Sequence, residues 1–542
     1  MEKKMRSWTG ESIVQTRYGA VKGFEDERST WSWKAIPFAR PPVGPLRWKA
    51  PQDPLPWDGI REEKKYSAKS CQMIFEENTI IGSEDCLYLN IWRPQSQEQN
   101  LPVYFWIHGG GNVFQGPFLE RTPGSGIASQ SNVVFVSIQY RLGEFGWFSH
   151  PALRTGKPGD EYDDTGNYGT LDIIKALTWV RDNIEAFGGS PDNVLVAGES
   201  GGAFNILTLL LSQAAKNLFH KAMVQSGRQN TYSIAEGDAN ANAIIAQLLV
   251  NDGTVTNVSE AEAYRDHMSF NQTATYLRSK SFEEFYTCRK AVRFKAAFED
   301  GAVISSRGFN SLDDGTYPNK VPVIIGMNKE EPKMGLFTMN SYPEDDELYE
   351  TMAILGAEIT KAVGRDNLLR RLRANADQPE VYGYEFLWGW RGPSGNSPLR
   401  APYDSKIGAC HTMDIPFFFN LDRFFTRLDD TLIFTEKNRK GREALSKAMM
   451  TYVAQFVRSG DPNKPGSDLP SWIPWSNDKD GPKSIMFNVD GDVPDIKMST
   501  QELTEEGVKA NLDTMAEPMH SKAKAAIAEL KAGRHVAFWA KF

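Results

Sequence analysis

Two glycine-rich segments have the residue types and spacing to organise an attack on a carbonyl. The first, Gly198-Glu199-Ser200-Gly201-Gly202, fits G-x-S-x-G. It follows the apolar run Val194–Ala197 and opens a Leu-rich run from Gly201 to Leu211. A serine on such a strand-to-helix turn is lifted above the sheet with its Oγ exposed, ready to act as a nucleophile. The flanking glycines remove side chains that would collide across the bend, and the Gly201 N–H points at the space beside Oγ. The second segment, Trp106-Ile107-His108-Gly109-Gly110-Gly111-Asn112, also closes an apolar run. Its three glycines leave backbone N–H groups to donate to a developing oxyanion, each donor typically worth about 10²–10³ in rate. Gly110, Gly111 and Gly201 are the expected donors. Glycine-rich turns without chemistry are common, so the strand–turn–helix setting carries this reading, not the pentapeptide alone.

A serine needs a base. The chain has seven histidines: His108, His150, His220, His267, His411, His520 and His535. His108 lies inside the glycine loop and is expected to brace it. The chain order for such a nucleophile is serine, acid, histidine, which leaves the histidines after Ser200. His220 falls where a helix passes into a strand, His267 lies in a helical stretch, and His520 and His535 lie in a polar tail. His411 sits in Gly408-Ala409-Cys410-His411-Thr412-Met413-Asp414, a loop leading into an aromatic run. A loop beside a rigid core suits a catalytic side chain best. The acid must come between Ser200 and His411. Ile325-Gly326-Met327-Asn328-Lys329-Glu330-Glu331-Pro332 follows an apolar run. A carboxylate at a strand's C-terminal end reaches the crevice where open α/β sheets bind ligands. Glu330 and Glu331 both qualify.

These groups need a scaffold. Short β-branched runs bounded by Gly, Asn or Pro read as strands buried on both faces: 103–107, 132–138, 194–197, 221–225 and 321–325. Helical spacing marks 169–187, 201–211 and 440–458, the last stopped by Gly460-Asp461-Pro462, and a terminal helix is expected within 500–542. The alternation predicts an α/β fold with a large, mostly parallel central sheet flanked by helices. Residues 233–320 read as a helical insertion over the site. No linker or repeat interrupts the chain, so residues 1–542 are expected to form a single domain.

Composition removes other classes. The 542 residues carry 61 Lys+Arg against 69 Asp+Glu, a formal charge of −8 with the two signs interleaved, which argues against nucleic acid as a partner. No apolar run is long enough to span a bilayer. The N-terminus lacks the apolar core of a secretory signal, so either the protein acts where it is made or a leader has been removed. Cys71, Cys86, Cys288 and Cys410 contain no C-x-x-C pair, which excludes a zinc ribbon or thioredoxin-like motif. No metal or organic cofactor is expected.

Further motifs carry a resemblance. Gly19-Ala20-Val21-Lys22-Gly23, Ser83-Glu84-Asp85-Cys86-Leu87-Tyr88-Leu89-Asn90, the His108 glycine segment, Tyr140-Arg141-Leu142-Gly143, Phe187-Gly188-Gly189-Ser190-Pro191-Asp192-Asn193, Gln225-Ser226-Gly227 and Gly460-Asp461-Pro462-Asn463 occur in one order. Over residues 13 to 480 the chain resembles the type-B carboxylesterases, the cholinesterase-like branch of the α/β-hydrolases. The resemblance implies that fold and hydrolysis of small-molecule carboxylic esters through an acyl-enzyme. It places the nucleophile on Ser200 and the base on His411. The acid is the second carboxylate of Lys329-Glu330-Glu331, hence Glu331, and Ser226 is a supporting partner of the acid and histidine. It also implies a Cys71–Cys86 disulfide, worth about 3 kcal/mol if oxidised. Four positions depart from the usual pattern: Gly201 for alanine, Asn112 for an aromatic residue with a changed acyl pocket as its consequence, Pro332 for glycine beside the acid, and Asp414 for glutamate.

Residues 71–86 contain no tryptophan, so a choline head would lack its stacking partner. The same loop carries Met73, Ile74, Phe75, Ile80 and Ile81 alongside Glu76, Glu77, Glu84 and Asp85, which leaves its role as an apolar lid unassigned. A lipase or an amidase on the same residues, and a non-catalytic binding module, are the rival readings. Trp388, Trp390 and Phe417–Phe419 are candidates both for an acyl or alcohol pocket and for plain core. Sequence leaves the oligomeric state open.

Overall fold

The structure is a computed structural model that describes residues 7–74, 79–115, 123–338, 345–392, 395–424 and 430–532. Phe75, Glu76, Glu77 and His535 lie outside the described residues. The architecture is a large mixed sheet of 11 strands flanked by helices. The chain divides into two compact units, Met1–Ala222 with Asn230–Lys320, and Met223–Gln229 with Val321–Phe542.

In the first unit, β1 (Phe24–Asp26), β2 (Thr30–Pro37), β3 (Tyr88–Pro94), β4 (Leu101–Ile107), β5 (Val134–Ile138) and β6 (Gly189–Glu199) lie side by side in the order β6-β4-β5-β3-β2-β1. The pairs β6–β4 and β4–β5 are parallel, and every residue of β4 is buried. Side chains buried on both faces give such strands their unbroken apolar sequence. Beyond β5 the pairing turns antiparallel. Helix α1 (Tyr168–Asn183) and the 3-10 turn Ile184–Phe187 after it cover the predicted helical stretch, and α2 (Gly201–Leu210) follows the serine. Residues 233–320 hold α3 (Ile234–Asn251), α4 (Val258–Asp266), α5 (Phe270–Ser279) and α6 (Phe282–Cys288), a helical stretch as expected. Ser233/Glu236, Ser269/Gln272 and Ser281/Glu284 close capping boxes that start three of these helices.

Strand β7 (Lys221–Gln225) enters the second unit at Met223. That unit contributes β8 (Val323–Asn328), β9 (Val381–Phe386), β10 (Ser484–Asp490) and β11 (Val493–Ser499). The β8–β9 and β9–β10 pairs are parallel, and β10–β11 is antiparallel. Its helices include α7 (Pro332–Thr338), α8 (Asp346–Ile359), α9 (Arg439–Ser459), α10 (Glu505–Thr514) and α11 (Met519–Ala532). Gly460, at φ 81°, ends α9 at the predicted stop. No helix among the described residues is long and apolar enough to cross a membrane.

Candidate active site

The expected nucleophile and its donors lie in the first unit. Strand β6 ends at Glu199 and α2 begins at Gly201, so Ser200 alone makes the turn, at φ 55° and ψ −115°. Such a backbone costs about 1–3 kcal/mol and persists only where its surroundings impose it. Here the Phe204 N–H donates to the Ser200 carbonyl at 2.9 Å. Behind the turn, a Cβ on Gly202 would fall 2.0 Å from the Ile107 carbonyl oxygen, so only glycine lets the elbow close on β4. The glycine loop leaves β4 and packs against Ser200: a Cβ on Gly109 would sit 3.3 Å from that of the serine. Gly110 turns at φ 96° with the Phe114 carbonyl where a side chain would begin. A Cβ on Gly201 would lie 2.8 Å from the Gly111 nitrogen, which puts these two expected donors in adjacent turns.

His108 is the brace that its place in the loop suggested. Its ring stacks on Tyr140 with centroids 4.4 Å apart, and its Nδ1 lies 2.8 Å from the Gly109 carbonyl. Burial pushes its pKa down to about 4, so the imidazole is neutral. Asn112 turns its buried side chain onto Asn205 of α2.

The acid and base candidates lie in the second unit. Glu331 and His411 touch, carboxylate Oε2 to imidazole Nδ1. The other oxygen, Oε1, accepts from the Ser226 hydroxyl at 2.5 Å, the Asn328 N–H at 2.7 Å and the Asn328 side-chain amide at 3.2 Å. Burial acts to raise the Glu331 pKa, but His411, Ser226 and Asn328 together hold it below the usual carboxylate range. Glu330 faces elsewhere. It accepts from the Ala409 N–H at 2.8 Å and pairs with Lys333 at 2.7 Å, and burial raises its pKa. Of the two, Glu331 meets the imidazole and Glu330 pins the loop that carries it. Pro332 is the first residue of α7, where a missing N–H costs nothing, so it leaves Glu331 in place. Asp414 accepts from Tyr384 Oη at 2.6 Å, Gln225 Nε2 at 3.2 Å and Asn328 Nδ2 at 3.2 Å.

A model of the Carboxylesterase family matches residues 10–353 and 337–501. The chain belongs to that family. Among similar proteins, the para-nitrobenzyl esterase of Bacillus subtilis is 30% identical, covering 85% of this chain and 92% of the relative. Carboxylesterase 1E of Rattus norvegicus is 31% identical, covering 86% and 88%. Among solved structures, a carboxylesterase of Geobacillus stearothermophilus superposes with a TM-score of 0.70 at 26% identity, covering 95% of this chain and 100% of that one. This carboxylesterase is therefore a carboxylic ester hydrolase of the type-B serine class on the α/β-hydrolase fold.

One implied feature is corrected. Cys71 and Cys86 are free thiols, without the expected disulfide. Burial pushes the Cys71 thiol up to about 11 and also raises that of Cys86, which favours the neutral thiol at both. Trp388 and Phe417–Phe419 are fully buried, with Phe417 5.0 Å from Trp388 and 4.8 Å from Phe386, and so belong to the core. Sequence reasoning missed Asn328, Asn205 and Tyr140. Asn328 could have been found: it stands three residues beyond the predicted strand 321–325 and three before Glu331, where a side-chain amide can turn onto the carboxylate.

Proposed function

We propose that Ser200, His411 and Glu331 act as one triad in a single hydrolase domain and hydrolyse small-molecule carboxylic esters. The contact of Glu331 with His411 Nδ1 carries this reading. A carboxylate there fixes the imidazole tautomer, gives Nε2 the role of base, and stabilises the imidazolium without taking its proton. Nε2 removes the Ser200 proton as Oγ attacks the ester carbon. The N–H groups of Gly110, Gly111 and Gly201 hold the tetrahedral oxyanion. His411 then gives its proton to the leaving alcohol, and water repeats the sequence on the acyl-enzyme. Ser226 and Asn328 keep Glu331 ionised and oriented, and no step calls for a metal or cofactor.

Ser200→Ala should lower kcat on p-nitrophenyl butyrate by at least roughly 10³-fold, and a fluorophosphonate should label Ser200 in the unaltered enzyme. Wild-type turnover by the alanine variant would overturn the reading.

A further inference from the structure

We infer that Asn112 and Asn205 form an amide clamp that positions the oxyanion loop on the helix carrying the nucleophile. The inference rests on the reading of Gly110, Gly111 and Gly201 as oxyanion donors.

Asn112 directly follows Gly111 and adopts φ 62°, and its carbonyl accepts from the Gly143 N–H at 2.7 Å. Its side chain exchanges two hydrogen bonds with Asn205. Asn112 Nδ2 donates to Asn205 Oδ1 at 3.0 Å, and Asn205 Nδ2 donates to Asn112 Oδ1 at 2.8 Å. The single Tyr140 Oη–H donates to the His108 carbonyl at 2.8 Å and is shared with Asn112 Oδ1 at 3.3 Å, so one phenol faces both ends of the glycine loop. The two asparagines are at most 2% exposed. A reciprocal amide pair shut away from water has one good arrangement, because any slip leaves a buried donor or acceptor unpaired.

Asn205 rises from α2, which begins at the residue after Ser200. One rigid element therefore carries both the nucleophile and the loop's anchor. Gly201 leaves room for the loop that the clamp draws in, since a Cβ there would stand 2.8 Å from the Gly111 nitrogen and 3.0 Å from that of Asn112. Asn112 and Asn205 are positioning residues: they set where the loop amides stand when charge develops, and neither side chain is placed to touch substrate.

The test uses Asn205→Ala and the pair Asn112→Ala/Asn205→Ala, with active enzyme counted by fluorophosphonate titration. An aryl trifluoromethyl ketone supplies the second readout. Its carbonyl carbon bonds Ser200 Oγ, the hydroxyl proton passes to His411, and the carbonyl oxygen becomes an oxyanion in the hole. Both variants should lose roughly 10–100-fold in kcat on a p-nitrophenyl ester. KM should stay within about twofold, and the ketone should weaken by the same factor as kcat/KM. The pair variant leaves no orphaned amide, so it should melt no lower than the single variant despite alanine at φ 62°, while remaining slow; it also carries the test if the single variant fails to fold. Wild-type kcat in the pair variant, or a fall in kcat without weaker ketone binding, would sink the clamp alone. If the unaltered enzyme bound the trifluoromethyl ketone no better than the matching methyl ketone, the oxyanion reading itself would fall, and the clamp with it.

Discussion

At positions 330 and 331 two identical carboxylates, adjacent in sequence, face different partners. Glu331 contacts His411, whereas Glu330 holds Ala409 and Lys333. Exchanging each for glutamine should separate rate from stability. Glu331→Gln should cut kcat by roughly 10³–10⁴-fold, because the amide no longer fixes the tautomer or stabilises the imidazolium. Glu330→Gln should leave kcat per titrated site within about threefold and lower unfolding free energy by about 3 kcal/mol, since Lys333 is buried and loses its nearest carboxylate. Urea unfolding beside active-site-normalised kinetics reads both. Spacing could not choose between these residues, because the choice depends on which way the chain turns after β8. His108 supplies the pH prediction. Its folded pKa of about 4 lies below the ordinary value of 6.5. Between those values the unfolded chain takes a proton that the folded protein refuses. Its contribution to stability is therefore full above about 6.5 and falls as pH drops towards 4. His108→Gln should remove that component, so the stability gap between wild type and variant narrows from pH 7.5 to pH 5 in urea titrations.

Two-sided burial made several elements legible, though Val381–Phe386, buried at every position, escaped because Gly383 and Glu385 interrupt its apolar run. The central strands show as apolar runs because both of their faces meet protein, and Lys221–Gln225 was placed to the residue. The strand Thr30–Pro37 was not singled out: its register shifts between Trp33 and Ile36, and Ala35 sits at φ 52°, which breaks the alternation a reader would count. Val493–Ser499 at the sheet's edge is only partly buried and lacks an apolar run altogether. The elbow was legible for the opposite reason, since its constraint is steric and leaves a fixed pattern of glycines. That constraint is testable. In Gly202→Ala the new Cβ meets a backbone oxygen of β4, an atom that cannot swing aside. The strain should cost about 1–3 kcal/mol of stability and move Ser200 enough to lose at least roughly 10²-fold in kcat. Thermal unfolding and steady-state kinetics on the same ester measure both, and a wild-type kcat would mean that β4 can give way.

On the scale of the whole molecule, the family match ends at residue 501, yet the chain builds more core beyond it. Val508 of α10 and Ala523 and Ala526 of α11 pack with Met352, Leu355 and Ile359 of α8 and with Ala362. The Leu503 N–H donates to Asp366 at 2.8 Å, and Asp366 is in turn paired with Lys361 and Arg365 at 2.7 Å each. A helix was expected within 500–542 from composition, but not its cohesion with α8, because amphipathic spacing says that a face is apolar and not what it covers. Leu336 of α7 packs on the same cluster, and α7 starts at the residue after Glu331. A disturbance at the terminal helices should therefore reach the acid through two packed elements. Val508→Asp places a charge where the native side chain is 1% exposed. It should lower stability by about 2–4 kcal/mol, and the loosened seat of α7 should reduce kcat severalfold while fluorophosphonate still labels Ser200. Asn511→Asp changes the same helix at an exposed position, so it adds the charge without entering the core and should leave both quantities unchanged. If Val508→Asp matched the wild type in melting temperature and kcat, the terminal helices would be an appendage and Glu331 would owe its placement to β8 and Ser226 alone.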